Sequence, residues 1–312
     1  MPITLEYDPS YEALYHPERR DTLFENGQVY SPPQLAVEAA RLAYYRAEKS
    51  AAERARLVEA LGRAGFSDAA PFFDAGGGVA AFAALRADGT TLLSFRGTQP
   101  DNYKNLITDL RIDLVAWSES AGLAHDGFAS AMRAIKPQIH AWFESAKPDR
   151  SKLILTGHSL GAAMATLAAT IWRPEWLVTI GSPRVGDAAF AATVTATHKL
   201  RFVDCCDAVT EVPPECGGYR HIGEPTYLTR DASIVQNPEP WFVMADRLPA
   251  RIDYASLYAW HVAQNVPVRD LADHAPVNYA RAVFGAALGE WEAAPCSVAA
   301  SNNEISANHK SS

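Results

Sequence analysis

The chain has 312 residues, of which 48% are hydrophobic and 21% charged, and this balance excludes an intrinsically disordered protein. The formal net charge of −8 argues against nucleic acid as a partner, because an acidic surface repels a polyanion. No run of residues approaches the ~18 apolar positions that a membrane span needs, so no transmembrane segment is expected. The stretch MPITLEYDPSYEALYHPERR has no signal-peptide pattern, and four cysteines are too few for a disulfide framework. We therefore expect a cytoplasmic protein, whose oligomeric state the sequence leaves open.

The first third of the chain predicts two helices and a hairpin. Residues 1–75 form an N-terminal extension that is irregular up to residue 33 and then helical in SPPQLAVEAARLAYYRAEKS and AAERARLVEALGRAG. Two prolines stand near the start of the first helix, and Gly65 closes the second. The stretch GGGVAAFAALRADGTTLLSFRGT predicts a β-hairpin, because two apolar runs flank the turn ADG.

Strands and helices alternate through the middle of the chain. GFASAMRAIKPQIHAWFESA is helical in pattern, with Pro137 expected to kink or restart it. KLILT, WLVTIGSP and HKLRFVDCCD predict buried strands, and LGAAMATLAATIW and DAAFAATVTAT predict the helices between them. This order predicts an α/β fold, with a mostly parallel central sheet and helices on both faces.

The pattern weakens towards the C-terminus. Residues 229–270 are interpreted as an insertion, in which QNPEPWFVMADRLPA has the composition of a loop. DHAPVNYARAVFGAALG predicts a closing helix, and the small polar residues of 296–312 predict a mobile tail. Residues 1–295 are therefore expected to form a single domain.

The pentapeptide GHSLG, centred on Ser159, has the form of a nucleophile elbow. It follows a predicted strand and precedes a predicted helix, which is the context that this motif requires. Gly157 and Gly161 remove the Cβ atoms that would obstruct so sharp a turn. The start of the following helix favours negative charge beside the serine.

A serine hydroxyl becomes a strong nucleophile only when a base takes its proton and an acid orients that base. In this setting the expected chain order is Ser, then Asp or Glu, then His. Five histidines follow Ser159, but His309 falls in the predicted tail and His198 precedes the candidate acids. The pattern leaves three histidines open as the base: His221, His261 and His274.

Seven separated motifs occur in one order along the chain: SFRGT, HDGF, GHSLG, TIGSPRVGD, RFVDCCDAVTEVPP, GYRHIGE and DHAPVNY. Together they resemble the class 3 lipases, the fungal-type triacylglycerol lipase family of the α/β-hydrolases. The resemblance runs from about residue 80 to residue 285. It implies the α/β-hydrolase fold with a short lid over the active site.

The resemblance also implies the catalytic triad. Ser159 matches the nucleophile, and Asp207 matches the acid of the loop DAVTEVPP, where Thr210 replaces a proline common in the family. Asp204 is a rival acid, but it still lies in the strand run. His274 matches the base, although the spacing to the following tyrosine is slightly longer than in the family.

The other two histidines receive different interpretations from the same resemblance. His221 resembles the structural histidine of the motif GYxHxG, and His261 matches no motif.

The resemblance assigns the oxyanion hole to Thr98, which follows the RG of FRGT, and to the backbone N–H of Leu160. The lid falls on residues 99–124, where apolar and polar residues alternate in a helical pattern. An amphipathic lid is typical of enzymes that open at a lipid surface, which favours lipid or long-chain esters over short-chain esters. The same apolar residues are equally compatible with packing against the core.

These observations predict a serine carboxylic-ester hydrolase, a triacylglycerol lipase or esterase that works through an acyl-enzyme. The expected partner is a lipid or small ester, met at a lipid–water interface, with no cofactor and no metal. The alternatives are a phospholipase or a feruloyl-type esterase with the same triad, or a lipase-like binding protein without activity.

Overall fold

The computed structural model describes residues 4–74, 76, 78–97, 113–287 and 291. The predicted tail at 296–312 lies outside these residues, as does most of the predicted lid at 99–124. No helix in the described part of the chain combines the length and hydropathy that crossing a membrane requires.

The central feature is an eight-stranded sheet in the order β1-β2-β3-β6-β7-β9-β11-β12, accompanied by a small sheet in the order β10-β8-β5-β4. Strands β3, β6, β7, β9 and β11 run parallel to one another, whereas β1, β2 and β12 pair antiparallel. The strands are β1 (Phe66–Phe73), β2 (Ala80–Arg86), β3 (Thr91–Phe95), β4 (Leu114–Ala116), β5 (Leu123–His125), β6 (Leu153–His158), β7 (Trp176–Ile180), β8 (Gly186–Asp187), β9 (His198–Asp204), β10 (Tyr219–Arg220), β11 (Pro225–Leu228) and β12 (Ile234–Gln236).

Helices cover both faces of the large sheet, as the alternating pattern predicts. Helices α2, α3 and α9 share a hydrophobic core on one face, and α4 and α5 share a second core on the other. The helices of the described residues are α1 (Tyr11–Tyr15), α2 (Pro32–Leu42), α3 (Ala51–Arg63), α4 (Asp126–Ala146), α5 (Leu160–Trp172), α6 (Ala188–Thr193), α7 (Pro240–Leu257), α8 (Arg269–Ala272) and α9 (Pro276–Gly285).

Hydrogen bonds from two strands of the large sheet fix the position of helix α2. Ser31 and Gln34 form a reciprocal capping box at its start, which satisfies backbone N–H groups that a helix end leaves free. Ser94 on β3 donates to the carbonyl oxygen of Ala39 at 2.9 Å, and Thr156 on β6 donates to that of Ala36 at 3.1 Å. These two buried hydroxyls hold α2 against β3 and against β6, the strand that leads to Ser159.

Helix α4 differs from its prediction at the proline. It continues from Asp126 to Ala146 without restarting, although Pro137 lies inside it. Buried Met132 and Ile139 lie on either side of the proline, so packing against the core keeps both halves in one helix.

The segment QNPEPWFVMADRLPA is not a loop, and this prediction is wrong. It forms most of the 18-residue helix α7, in which Pro240 occupies the first turn, where a proline costs no hydrogen bond. Its inward face carries only Ala250 and Tyr254 as buried residues. Because most of its apolar residues point to solvent, the amphipathic pattern that identifies a core-facing helix is absent within α7.

Strand β1 was not anticipated by the sequence pattern. It lies at the edge of the sheet and contains Pro71, which an edge strand tolerates because one side has no hydrogen-bonded partner. The described end of the predicted lid, from residue 113, contains β4 and a turn that leads to β5.

Candidate active site

Ser159 lies at the turn between β6 and α5, as the elbow motif predicts. Its backbone has φ 58° and ψ −125°, in a region that residues other than glycine rarely adopt. A Cβ on Gly157 would lie 2.3 Å from the carbonyl carbon of Gly161, and a Cβ on Gly161 would lie 2.1 Å from the carbonyl oxygen of Phe95. The two glycines are therefore required by close backbone contacts around the serine.

The Ser159 hydroxyl is buried and has no hydrogen-bond partner among the described residues. Its own amide donates to the carbonyl oxygen of Ile180 at 3.0 Å. Leu160 is the first residue of α5, so its N–H has no acceptor within the helix and contributes to the positive end of the helix dipole. Negative charge that develops beside Ser159 is favoured at this point.

Asp207 follows β9 and accepts three hydrogen bonds. Its Oδ1 accepts from the amide of Val209 at 2.9 Å, and its Oδ2 accepts from Tyr279 Oη at 2.5 Å and from His274 Nδ1 at 2.8 Å. The carboxyl group is fully buried, and each donor stabilises its charged form. Tyr279 was not singled out from the sequence, although it is the tyrosine of the motif DHAPVNY.

The rival acid Asp204 occupies a different environment. Its Oδ1 accepts from the amide of Cys205 at 2.8 Å. Burial, followed by the nearby Asp273 carboxyl, raises the pKa of Asp204 well above its usual range. A raised pKa disfavours the charged form that would stabilise an imidazolium, and it is Asp207, not Asp204, whose carboxyl group contacts the His274 ring.

His274 lies between α8 and α9, at the same edge of the sheet as Ser159. Its hydrogen bond to Asp207 places a proton on Nδ1 and leaves Nε2 as the basic nitrogen of the neutral ring. The ring is 1% exposed, so water does not compete for the Asp207 carboxylate.

Gly181 connects the serine to the Asp–His pair. It follows Ile180, which accepts the Ser159 amide bond, and it has φ 56°. A Cβ at this position would lie 2.9 Å from Asp207 Oδ2 and 3.0 Å from His274 Nδ1. The glycine of the motif TIGSP thus permits the close approach of the acid and the base to the strand beside the elbow.

A buried tyrosine and histidine lie behind the elbow. Tyr44 Oη lies 2.7 Å from His158 Nδ1, and His158 Nε2 lies 2.8 Å from the carbonyl oxygen of His274. A Cβ on Gly97 would lie 2.1 Å from Tyr44 Oη and 2.7 Å from the carbonyl oxygen of His158. The backbone next to Thr98 is therefore pressed against the residue that precedes Ser159.

Of the proposed oxyanion residues, only Leu160 is described, because Thr98 lies outside the described residues. Of the remaining histidines, His221 donates from Nε2 to the carbonyl oxygen of Thr210 at 2.7 Å, on the loop that follows Asp207. His261 is exposed, just beyond the end of α7. The structure thus brings His274, and neither of its two rivals, to the Asp207 carboxylate.

Three buried residues near Asp207 have the ligand types of a metal site: Cys205, Cys206 and Asp273. The Asp273 carboxylate is already ion-paired with Arg269 at 3.0 Å. A hydrogen bond with Cys206 and burial raise the pKa of the Cys205 thiol, whereas a metal needs the thiolate. These residues do not fit a metal ion.

A mostly parallel sheet, covered on both faces and carrying a nucleophile elbow after a central strand, is the α/β-hydrolase fold. Within it, residues 92–216 match the model of the lipase (class 3) family. The resemblance to the class 3 lipases is confirmed.

Two relatives and one solved structure illustrate the resemblance to the class 3 lipases. The chain is 36% identical over 148 residues to a secreted mono- and diacylglycerol lipase of Fusarium solani, covering 44% of this chain and 43% of that protein. It is 34% identical over 154 residues to a lipase of Rhizomucor miehei, covering 45% and 42% of the two chains. The crystal structure of a lipase from Rhizopus microsporus var. chinensis has a TM-score of 0.53 at 24% identity over 73% of this chain and 83% of its own, which shows a shared fold. The chain thus spans less than half the length of the curated relatives it matches.

The prediction of a cytoplasmic location is wrong. Relatives from Fusarium solani and Penicillium cyclopium are named as secreted mono- and diacylglycerol lipases, and this finding contradicts the predicted location.

Proposed function

We propose that the protein is a serine carboxylic-ester hydrolase, a lipase or esterase that works through an acyl-enzyme. The observation that carries this proposal is the buried Asp207–His274 pair. The pair packs against Gly181, the residue after Ile180, and Ile180 accepts the amide hydrogen bond of the strained Ser159. Strain at a buried serine whose hydroxyl has no partner among the described residues has no evident structural benefit. It is typical of a nucleophile held ready for attack.

In the proposed mechanism, Ser159 Oγ attacks the ester carbonyl carbon while His274 Nε2 takes the hydroxyl proton. The Asp207 carboxylate holds Nδ1–H and stabilises the imidazolium that forms. The carbonyl oxygen becomes an oxyanion, which accepts from the N–H of Leu160 and from Thr98, each donor contributing about 3 kcal/mol. His274 then protonates the departing alcohol, and a water molecule, deprotonated by His274, releases the acid.

The proposed substrates are lipid esters. The named relatives are lipases and mono- and diacylglycerol lipases, which supports glycerides as the substrate class. A chain-length series of glycerides and p-nitrophenyl esters, measured below and above their solubility limits, tests this choice. A rate increase at the solubility limit supports a lipase, whereas saturation by dissolved short esters supports an esterase, and preference for phospholipid or feruloyl esters would replace this substrate class.

Catalysis is tested by hydrolysis of p-nitrophenyl butyrate. Ser159→Ala, Asp207→Asn and His274→Gln should each lower kcat, with the serine and histidine variants losing about 10⁴-fold or more. Ser67→Ala is the matched control, because Ser67 is exposed on β1, away from the elbow. Equal rates in wild type and Ser159→Ala would reject the hydrolase and leave a lipase-like binding protein.

A further inference from the structure

Helix α7 presents an apolar surface that is exposed among the described residues. Trp241, Met244, Leu248 and Ile252 are spaced by three, four and four residues, so they lie along one side of the helix. Their exposure is between 60% and 71%. We call these four residues the apolar stripe. Eight of the eleven large hydrophobic residues that are exposed in the described chain fall within 241–268, which makes this segment the main apolar surface of the described protein.

The opposite side of α7 attaches to the loops that carry the proposed acid and base. Arg247 Nε donates to the carbonyl oxygen of Cys205 at 2.6 Å, two residues before Asp207. The carbonyl oxygen of Ala250 accepts from Arg269 Nη1 at 3.3 Å, on the short helix that leads to His274. Helix α7, which carries the apolar stripe, is therefore hydrogen-bonded to the loops that hold Asp207 and His274.

The charged side chains beside the apolar stripe are ion-paired within the protein, three arginines with four carboxylates. Arg251 forms an ion pair with Asp270, and Arg247 forms one with Glu211. On the other flank Arg230 pairs with two carboxylates, those of Asp246 and Asp253. The stripe itself contains no charged side chain. This arrangement fits an uncharged surface, and the net charge of −8 opposes contact with an anionic one.

The composition of the segment favours a lipid phase over a second copy of the chain. A stable protein interface uses about 20–30 residues on each side, and a single helix stripe supplies far fewer. Tryptophan is enriched where proteins meet the boundary between lipid and water, and Trp241 begins the stripe while Trp260, 81% exposed, lies just beyond α7.

We propose that the apolar stripe is a docking surface for an uncharged glyceride surface, and that it seats the catalytic edge of the protein on that surface. This inference rests on the proposed hydrolase function, whose glyceride substrates form such a phase. The apolar side chains of α7 leave water on docking, which supplies the binding free energy. The ion pairs around α7 transmit the orientation to the loops of Asp207 and His274.

The test is adsorption to trioleoylglycerol droplets dispersed without phospholipid, measured by flotation in a Ser159→Ala background that leaves the surface of α7 intact. Adding Leu248→Gln and Ile252→Gln should weaken adsorption about tenfold or more. Val29→Gln is the matched control, because Val29 is 78% exposed but lies outside α7, and it should change adsorption little.

Two further measurements separate docking from folding and from assembly. In otherwise wild-type protein, Leu248→Gln with Ile252→Gln should hydrolyse dissolved p-nitrophenyl butyrate at the wild-type rate, which shows an intact fold. Unchanged adsorption of the stripe variant would overturn the inference. So would a wild-type dimer that becomes monomeric in the stripe variant, because the stripe would then be covered by a second copy.

The same experiments distinguish this inference from the proposed function. If the wild type hydrolyses neither p-nitrophenyl butyrate nor trioleoylglycerol, yet adsorbs through the apolar stripe, the hydrolase function is rejected and the docking surface is supported. An active wild type whose adsorption does not depend on the stripe supports the hydrolase and overturns the docking surface.

Discussion

His158 donates a hydrogen bond from Nε2 to the main-chain carbonyl oxygen of His274 at 2.8 Å. Because a carbonyl oxygen can only accept, the proton lies on Nε2, and Nδ1 accepts from the hydroxyl of Tyr44 at 2.7 Å. Burial, followed by the nearby His274, lowers the pKa of His158 well below 6.5, which keeps the ring neutral for both bonds. The neutral ring of His158 thus links the main chain of His274, the proposed base, to Tyr44 in the turn that follows helix α2.

Removing the tyrosine hydroxyl tests this link. Tyr44→Phe leaves His158 Nδ1 without its buried donor, so the free energy of unfolding should fall by about 1–3 kcal/mol. We also expect kcat to fall, because the main chain of His274 loses support. Tyr45→Phe is the control: Tyr45 donates to the carbonyl oxygen of Arg20 at 2.7 Å, remote from the triad. The measurements are urea unfolding and ester hydrolysis of both variants. Equal kcat values for Tyr44→Phe and Tyr45→Phe would contradict a role for His158 in supporting the main chain of His274.

Gly181→Ala tests the close approach at the acid and base. The added Cβ meets Asp207 Oδ2 and His274 Nδ1 at about 3 Å, so the pair must move and kcat should fall strongly. Gly27→Ala carries a similar backbone penalty, since Gly27 has φ 77°, but its Cβ meets no atom within 4 Å. Both variants should lose about 1–2 kcal/mol of stability from the left-handed backbone. A matching loss of kcat in Gly27→Ala would contradict a local effect at position 181.

Ser159→Gly should be more stable than Ser159→Ala. Both variants lack the hydroxyl, but only glycine relieves the backbone at φ 58° and ψ −125°. Strain of this kind costs about 1–3 kcal/mol, and the extra flexibility of glycine in the unfolded chain offsets part of the gain. Thermal unfolding of the two inactive variants measures the difference. An equal or lower Tm for Ser159→Gly would show that the elbow is not strained.

His221→Gln should make stability less dependent on pH in the acid range. Burial, then Arg201 and Arg184, lower the pKa of folded His221 well below 6.5. Below pH 6.5 the unfolded chain therefore binds a proton that the folded protein does not, so this group removes stability as the pH falls, by about 1.4 kcal/mol per unit. The glutamine retains a donor for Thr210 but does not titrate. The measurement is urea unfolding of wild type and His221→Gln between pH 4.5 and pH 7. If the free energies of unfolding of the two proteins change in parallel with pH, this assignment is wrong.

The predicted location of the elbow agrees with the structure because its determinants are local. Strand, turn and helix follow one another within residues 153–172, and the glycines beside Ser159 are needed for contacts inside that short stretch. The alternation of strands and helices likewise predicted the parallel sheet, since each element carries its own periodicity. Helix α7 escaped prediction because its apolar side faces solvent and its two prolines suggested a loop.

The choice among the histidines shows what local pattern cannot supply. His221, His261 and His274 are equally able to act as a base by their chemistry, and the residues around each of them left the choice open until the family resemblance favoured His274. Asp207 and His274 lie 67 residues apart, and Tyr44 lies 114 residues from His158. Such contacts depend on the order in which strands assemble into the sheet, which no single segment records.

The sequence by itself determined the elements, the elbow at Ser159 and the order of serine, acid and histidine that ester hydrolysis requires. The family resemblance named Asp207 and His274, but only the tertiary structure showed their hydrogen bond, added Tyr279, Tyr44 and His158 around them, and left the apolar stripe of α7 exposed among the described residues. The physical reason is the same in each case. A residue's neighbours along the chain fix its backbone conformation, whereas its burial, partners and charge state depend on what the rest of the fold brings to it.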